Sequence, residues 1–390
     1  MIAALSSHGW ERCDEPDQAG YIIVNSCGFI EPAKQESINT ALQFASAYPH
    51  ARIIMSGCLS QRYPDELARE MPELAGIVGN RAPGRIAEFL EEIERSGERV
   101  FVPEGGGPLP ARHTLLSFPA SAYVKVSEGC DNRCSFCAIP LIRGRLRSRS
   151  VRDVAREVTL LLDQGVTEIN LVAQDLAAFG RDTGENLLAL LRELLRDSRS
   201  FWVRLLYIYP EHFPEGLLEL CQDDARILPY FDIPFQHASQ KVLRLMGRSA
   251  LADHNLALIA RIREALPDAV IRSTFLVGFS GEDREAFEEL LSFQSAASLD
   301  WLGVFPYSPE EGTPAARFHT RERLGAREAA LRAEEVKKRQ EPITERRVER
   351  LVGRELDVLV EELVPYEPLA IGRSYAHAPE VDGSVVLTLP

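Results

Sequence analysis

The chain has 390 residues, of which 45% are hydrophobic and 26% are charged, a composition typical of a globular protein with two or three domains. Its formal net charge of −14 at pH 7 disfavours a general nucleic-acid binder, because the overall field repels phosphate groups. No apolar run approaches the ~20 residues that span a bilayer, and the first residues lack the features of a secretory signal. We therefore expect a cytoplasmic protein without a membrane partner.

Residues 1–102 are predicted to form a small α/β domain. The runs YIIVNSC and ARIIMSGC indicate buried parallel strands, each with a cysteine at its carboxyl end. Helices are predicted over 31–48 and 63–78, where acidic residues fall in the early turns. A linker is predicted over 103–115, because the stretch PEGGGPLPAR is rich in proline and glycine.

Residues 116–345 repeat the order strand, loop, helix, which predicts a parallel β/α barrel or a partial barrel of six strands. Active sites of such barrels lie at the carboxyl ends of the strands. The candidate strands are 122–128, 168–175, 202–210, 229–236, 270–279 and 301–308. Residues 346–390 read as strands again and predict a small β-domain. The fold class expected for the whole chain is α/β.

Three of the seven cysteines, Cys130, Cys134 and Cys137, lie close together where the first barrel strand ends. Thiolates at this C-x3-C-x2-C spacing can hold one side of a 4Fe–4S cluster and leave its fourth iron without a protein ligand. Such an open position can bind a substrate or a cofactor. A zinc site is an alternative, although no His or Cys follows at zinc-finger spacing, and buried structural thiols are a third reading.

The stretch GCDNRCSFCAIP resembles the cluster loop of radical S-adenosylmethionine (SAM) enzymes, including Phe136 directly before the last cysteine. In that superfamily the open iron chelates SAM, and one electron cleaves SAM to a deoxyadenosyl radical. In chain order, VNSCGFI, SGCLSQRY, IPLIRGRLRSRS, DIPFQHAS, STFLVGFSGE and YSPEEGTPA resemble the methylthiotransferases within that superfamily. The resemblance implies an amino-terminal domain with a second 4Fe–4S cluster, a central radical SAM barrel, and a carboxy-terminal TRAM β-barrel that is incomplete here.

Two substrates are known for such enzymes, an adenosine of tRNA and an aspartate of small-subunit ribosomal protein S twelve (uS12). The stretches VAQDLAAFG, LLYIYP, FQHAS and GRSYAHAPEVDG resemble the ribosomal-protein type. Between positions 353 and 390, seven acidic residues stand against two arginines, a balance that suits a basic ribosomal protein better than an RNA backbone. We therefore expect uS12 as the substrate, on or near the ribosome, rather than a nucleic acid.

The resemblance also implies how the reaction is supplied. The deoxyadenosyl radical abstracts hydrogen from the β-carbon of the aspartate, the second cluster supplies sulfur, and another SAM donates the methyl group. A protein of flavodoxin or ferredoxin type is the expected electron donor. An iron–sulfur electron-transfer protein without SAM chemistry is an alternative of another class, against which the motifs of the SAM site argue.

Cys27 and Cys58 are the candidate ligands of the second cluster, because neighbouring parallel strands end at the same sheet edge. The family uses a third cysteine, which follows a strand absent from this sequence, so we expect this cluster to be incomplete in the chain as given. Cys13 is a poor replacement, because it precedes a strand that Cys27 ends, and a strand of that length separates its two ends by ~20 Å.

By the same resemblance, SAM is expected to contact Phe136, Gln174, Asp175, Arg272 and Gly278. From the residues alone, Asp175 is equally a helix cap and Gly278 equally part of a tight turn. Arg272 is a charge on an apolar strand, so it is predicted to point into the barrel mouth toward a carboxylate. No catalytic side chain is assigned.

Three further features of the sequence need an interpretation. His237 is either catalytic or a hydrogen-bonded core histidine. Cys221 is expected to lie on a helix and to be a packing residue. A basic stripe directly after the cysteines comprises Arg143, Arg145, Arg147 and Arg149. These arginines would bind the SAM carboxylate, bind an acidic partner surface, or simply face solvent.

Overall fold

The computed structural model describes residues 1–104, 120–249, 251–318 and 324–389. Nearly all of the predicted linker, 103–115, lies outside these residues. The described residues form parallel and antiparallel sheets covered by helices, so the chain is an α/β protein, as predicted. In this part of the chain, no helix is both long enough and apolar enough to cross a bilayer.

The amino-terminal part is a parallel sheet between two layers of helices. Its elements are α1 (Ile2–Ser7), β1 (Tyr21–Ser26), α2 (Glu31–Ala47), β2 (Arg52–Gly57), α3 (Cys58–Arg62), α4 (Pro64–Glu70), β3 (Leu74–Gly79), α5 (Ile86–Ser96) and β4 (Val100–Phe101). The strands lie side by side in chain order, and all pairs are parallel. Ala41 and Leu67 pack on one face of the sheet, while Phe89 and Leu90 pack on the other, so both faces are buried.

The prediction of one helix over 63–78 is wrong in its second half. Helix α4 ends at Glu70, and the residues from Leu74 onward form β3. Pro72 lacks the backbone N–H that a helix interior needs, so it favours a break at this point. The apolar run that follows is buried in the sheet between β2 and β4, where a strand has no polar face and its sequence does not alternate.

The central part is a six-stranded parallel sheet. Its elements are β5 (Ser121–Lys125), β6 (Ser127–Glu128), α6 (Ile139–Arg143), β7 (Arg147–Ser148), α7 (Val151–Asp163), β8 (Glu168–Val172), α8 (Leu187–Leu194), β9 (Trp202–Leu205), α9 (Leu217–Asp223), β10 (Ile227–Asp232), α10 (Gln240–Leu245), α11 (Ala252–Ala265), β11 (Val270–Val277), α12 (Arg284–Ala297), β12 (Trp301–Pro306) and α13 (Ala326–Glu349). The order is β12-β11-β10-β9-β8-β5, so β5 and β12 are the two edges of an open sheet, as in a partial barrel.

The barrel strands end earlier than their sequences predict. The run 202–210 leaves the sheet after Leu205, and the run 229–236 leaves it after Asp232. Tyr207 and Gln236 adopt φ values of 67° and 69°, which an extended strand does not allow. These apolar stretches therefore turn inward as loops over the carboxyl ends of the strands, the end that carries the cysteines.

The carboxy-terminal part is a three-stranded antiparallel sheet of β13 (Leu359–Leu363), β14 (Leu369–Arg373) and β15 (Val385–Thr388). It docks at the amino ends of the barrel strands through a buried ion cluster. Glu168 pairs with Arg204 at 3.0 Å and with Arg373 of β14 at 2.6 Å, and none of these side chains is more than 3% exposed. The two outer parts of the chain therefore contact opposite ends of the barrel sheet.

Candidate iron–sulfur site

The three clustered cysteines lie on a loop between β6 and α6, beyond the carboxyl end of β5. Backbone hydrogen bonds hold this loop: Cys130 N donates to Gly144 O at 3.2 Å, and Ser135 N donates to Met246 O at 2.9 Å. Gly129 has φ +75°, and a Cβ there would lie 2.1 Å from the Arg145 carbonyl oxygen. Only glycine fits this close approach, so the main chain itself shapes the loop.

All seven cysteines of the chain are free thiols, and the three of the loop are half-buried. Burial raises the pKa of Cys130 to about 11 and that of Cys137 to about 12, and the neighbouring Cys134 raises both pKa values further. Each thiol therefore lies within the electrostatic reach of another. Iron ligation requires thiolates, so metal binding at this loop must release protons.

The loop offers three free thiols as donors. A cubane cluster bonds each cysteine ligand to a different iron. Three free thiols on a backbone-held loop match a 4Fe–4S cluster whose fourth iron has no protein ligand.

Asp175 lies beside this loop at the end of β8. It is 2% exposed, and its carboxylate accepts hydrogen bonds from Ala177 N at 3.0 Å and from Asn132 Nδ2 at 2.9 Å. The first bond caps a short 3₁₀ turn, the structural alternative for this residue. The second bond ties β8 to the cysteine loop. Gln174 is half-buried directly before it.

The other three predicted SAM contacts already have protein partners. Phe136 packs edge-on against the ring of Phe279, with ring centroids 6.3 Å apart. Arg272 points toward two carboxylates, Asp232 of β10 at 3.0 Å and Asp382 of the carboxy-terminal part at 3.4 Å. Gly278 has φ +78°, and a Cβ there would lie 2.4 Å from Ala329 Cβ, so α13 requires glycine here independently of any ligand. The SAM contacts of these residues stay predictions.

His237 and Cys221 lie inside the protein. His237 is fully buried, its Nδ1 accepts a hydrogen bond from Ser239 N at 2.9 Å, and its Nε2 lies 3.3 Å from a Glu282 carboxylate oxygen. Cys221 is buried in the barrel core, where burial raises its pKa to about 12.

The structure brings Cys27 and Cys58 to one edge of the amino-terminal sheet. They directly follow Ser26 and Gly57, which are register partners in β1 and β2. Gly28 packs against Cys58 so closely that a Cβ on Gly28 would lie 2.8 Å from the Cys58 carbonyl group. The two strand ends are therefore in direct contact, as the sequence predicted.

Cys13 lies elsewhere. It is exposed, and its Sγ donates to Glu15 O at 3.0 Å. Trp10, three residues earlier, packs on Tyr21, the first residue of β1, with ring centroids 5.2 Å apart. The Cys13 segment thus leads into the amino end of β1, opposite to the end that carries Cys27.

The predicted basic stripe is divided between different partners. Arg143 is turned inward, where it pairs with Glu128 and donates to Cys58 Sγ at 3.5 Å. Arg149 pairs with two acids of α7, whereas Arg145 is exposed beside Asp131. Arg143 thus joins the two cysteine sites, because it follows the barrel loop and contacts a cysteine of the amino-terminal sheet.

Sequence reasoning missed a buried ion pair between the same two domains. Glu310, in the YSPEEGTPA motif after β12, pairs with Arg62 at the end of α3 at 2.9 Å. In the sequence, this motif indicated only the family resemblance and gave no sign of a contact with α3. No spacing pattern links two residues that are 248 positions apart.

Sequence profiles of three families match the chain. The radical SAM superfamily matches residues 124–293, the Uncharacterized protein family UPF0004 matches residues 1–79, and the TRAM domain matches residues 352–390. The six-stranded sheet with its cysteine loop is therefore the core of a radical SAM enzyme. This domain implies a 4Fe–4S cluster and SAM.

Curated relatives identify the family within the radical SAM superfamily. The ribosomal protein uS12 methylthiotransferase RimO of Treponema denticola is 41% identical over 420 residues, which cover 99% of this chain and 89% of the relative. The protein of the same name from Aquifex aeolicus is 40% identical over 396 residues, covering 99% and 86%. The chain belongs to the RimO family of ribosomal protein uS12 methylthiotransferases.

A solved structure shares the fold. The radical SAM methyltransferase TsrM from Kitasatospora setae, with cobalamin and a [4Fe-4S] cluster bound, matches with a TM-score of 0.57. The match covers 76% of this chain and 63% of that chain at 15% sequence identity. At this identity the likeness concerns the architecture alone.

Proposed function

We propose that this chain attaches a methylthio group to the β-carbon of an aspartate in ribosomal protein uS12, with SAM as co-substrate. The observation that carries the proposal is the 41% identity to a uS12 methylthiotransferase over 99% of the chain. The position of the cysteine loop at the carboxyl ends of six parallel strands supports it, since this is the catalytic end of such sheets.

In the barrel, Cys130, Cys134 and Cys137 would hold the first cluster, which when bound supplies the electron that cleaves SAM to a deoxyadenosyl radical. The protein keeps this loop in one conformation through backbone hydrogen bonds and through the Asp175–Asn132 bond. Partial burial of the thiols limits the access of water to the site.

The proposed SAM contacts are Phe136 in the cysteine loop, Gln174 and Asp175 after β8, Arg272 in β11 and Gly278 after β11. Gln174 is half-buried, and its side-chain amide can both donate and accept hydrogen bonds. Phe136 presents a partly buried ring to the same site and would contact the adenosyl group by packing.

At the second site, Cys27 and Cys58 would hold the cluster from which the sulfur is transferred. The UPF0004 match over residues 1–79 is consistent with such a cluster. Arg143 donates a hydrogen bond to Cys58 Sγ at 3.5 Å, so its guanidinium group would orient this cluster ligand.

The proposed partners follow from the substrate. A ribosomal protein is typically basic, and the acidic carboxy-terminal segment and the net charge of −14 favour its approach. We place the reaction in the cytoplasm, on or near the ribosome, with electrons from a flavodoxin- or ferredoxin-type protein. Nucleic acid is not the proposed substrate.

The proposal is tested by co-expression with uS12 in a host that lacks its own enzyme of this type, followed by mass spectrometry of uS12 and nucleoside analysis of tRNA. We expect a methylthio adduct on one aspartate of uS12 and unmodified tRNA adenosine. The Cys134→Ser variant serves as the control and is expected to leave uS12 unmodified. A methylthio adduct on tRNA with unmodified uS12 would overturn the proposal.

A further inference from the structure

Glu310 is a buried carboxylate that lies between the amino-terminal domain and the barrel. Its side chain is 3% exposed, on the loop that follows β12. A carboxylate this deeply buried is costly unless cations and hydrogen-bond donors surround it. Its surroundings therefore show what the buried charge holds together.

Apart from Ser308 Oγ of the same loop, which donates at 2.9 Å, the partners of the Glu310 carboxylate come from the amino-terminal domain. One carboxylate oxygen accepts from Arg62 at 2.9 Å and from Lys34 at 3.1 Å, and these side chains are 5% and 13% exposed. The other oxygen accepts from the backbone N–H of Glu31 at 3.1 Å, at the amino terminus of α2. One side chain of the barrel thus satisfies two cations and a helix end of the other domain.

Two of these partners, Arg62 and Glu31, lie four positions after a cysteine of the second site. Arg62 ends the five-residue helix α3, whose first residue is Cys58. Glu31 begins α2 shortly after Cys27. Arg62 also donates to the Gly28 carbonyl oxygen at 2.9 Å, which links the two strand ends to each other.

We propose that Glu310 is a positioning residue that fixes Cys27 and Cys58 against the barrel, so that the second site faces the three-cysteine loop. Its part in catalysis rests on the proposed function, whereas its part in the geometry does not. Removal of the carboxylate leaves Arg62 as a buried cation with only carbonyl oxygens as acceptors, whereas Lys34 keeps its ion pair with Glu31 at 2.7 Å. The α3 segment, which carries Arg62, therefore moves toward water.

The test measures the alkylation rate of each cysteine by mass spectrometry in the iron-free full chain. Glu310→Gln and Glu310→Ala are compared with Glu311→Gln, which alters the exposed neighbouring side chain. We expect Cys58, which is half-buried, to react about tenfold faster in both Glu310 variants, the effect of a tenfold larger open population. Glu311→Gln is expected to match the wild type.

Two other cysteines serve as internal controls. Cys13 is exposed and reports on the reagent, and Cys221 is buried in the barrel core and reports on global unfolding. An unchanged Cys58 rate would overturn the proposal. A parallel rise at Cys221 would also overturn it, because Glu310 would then stabilise the whole fold and not this site.

A second readout links the geometry to the chemistry. In the reconstituted enzyme we expect Glu310→Gln to form deoxyadenosine at the wild-type rate and about tenfold less methylthio product per deoxyadenosine, because a misplaced second site lowers the rate of the step that needs it. Equal coupling in Glu310→Gln and wild type would contradict the catalytic part. If the wild type forms no methylthio product, the proposed function fails, while the alkylation result still decides the geometric part.

Discussion

The barrel loop with its three cysteines is held mainly by backbone hydrogen bonds, whereas the Cys27–Cys58 pair also depends on side chains of another domain. In the barrel, main-chain hydrogen bonds and a glycine at positive φ shape the loop. At the second site, Arg143 and Glu310 of the barrel contact Cys58 and its helix. A backbone-held site survives most side-chain substitutions, but a site held by buried charges can be displaced by one of them.

The largest expected effect separates the roles of the two sites. Cys134→Ser is expected to abolish both deoxyadenosine and methylthio product, because the first cluster loses a ligand. Cys27→Ser is expected to abolish the product but to leave deoxyadenosine formation intact. Both compounds are measured by liquid chromatography in one anaerobic assay. Loss of deoxyadenosine in Cys27→Ser would show that the two sites are not separable.

The next effect concerns the buried ion cluster at the amino ends of the barrel strands. Glu168→Gln leaves Arg204 buried without a carboxylate and Arg373 with Glu361 alone, so we expect a loss of about 3–5 kcal/mol in the free energy of unfolding. Denaturant titration measures this loss. Glu361→Gln, which removes a more exposed partner of Arg373, is expected to cost less than about 1 kcal/mol. Equal costs would mean that burial does not decide how much each carboxylate of this ion cluster contributes to stability.

A smaller effect concerns the side-chain bond that supports the barrel loop. Asp175→Asn can place an amide group against the donor Asn132 Nδ2, so we expect a loss of about 1–3 kcal/mol in the free energy of unfolding. The variant is also expected to lose iron from the loop faster than the wild type in the presence of a chelator. If iron is retained equally, the backbone alone holds the loop.

The pH dependence of stability gives a further prediction for the carboxy-terminal part, which docks at the amino ends of the barrel strands. Burial and the charges of Arg204 and Arg373 lower the pKa of His377 to about 4. In the unfolded chain this histidine has a pKa of ~6.5, so between pH ~6.5 and 4 the unfolded state binds a proton that the folded state does not. The population of the unfolded state therefore rises as the pH falls through this window. We expect a loss of about 1–3 kcal/mol over this window, measured by denaturant titration at several pH values. His377→Asn is expected to flatten this slope, and an unchanged slope would assign it to other groups.

The smallest effect tests the exclusion of Cys13. Because Cys13 is exposed and precedes β1, Cys13→Ser is expected to change the free energy of unfolding by less than about 0.5 kcal/mol. Iron content and product formation are expected to equal those of the wild type. A loss of iron in this variant would identify Cys13 as a ligand and would make the second site a three-cysteine site.

The features that sequence predicted well are those encoded over short distances. The barrel strands and the pairing of β1 with β2 follow from apolar runs, and the cysteine loop follows from spacing within eight residues. The strand ends were predicted too long because LLYIYP and DIPFQ are apolar in loops as well as in strands. Residues 74–79 were missed as a strand because a fully buried strand lacks alternation.

The contacts between domains could not be predicted in the same way. Glu310 meets Arg62 across 248 positions, and Glu168 meets Arg373 across 205. Charged residues are common on surfaces, so a glutamate or arginine in the sequence carries no sign that it is buried. Only the relative placement of the three domains decides which of these charged residues become buried between domains.

The most direct test of the central claim is a competition experiment with both candidate substrates in one reaction. The reconstituted enzyme receives purified uS12 and tRNA together with SAM labelled in its methyl group. We predict that the label enters an aspartate of uS12 as a methylthio group and that tRNA stays unlabelled. Label in tRNA adenosine with none in uS12 would contradict the account.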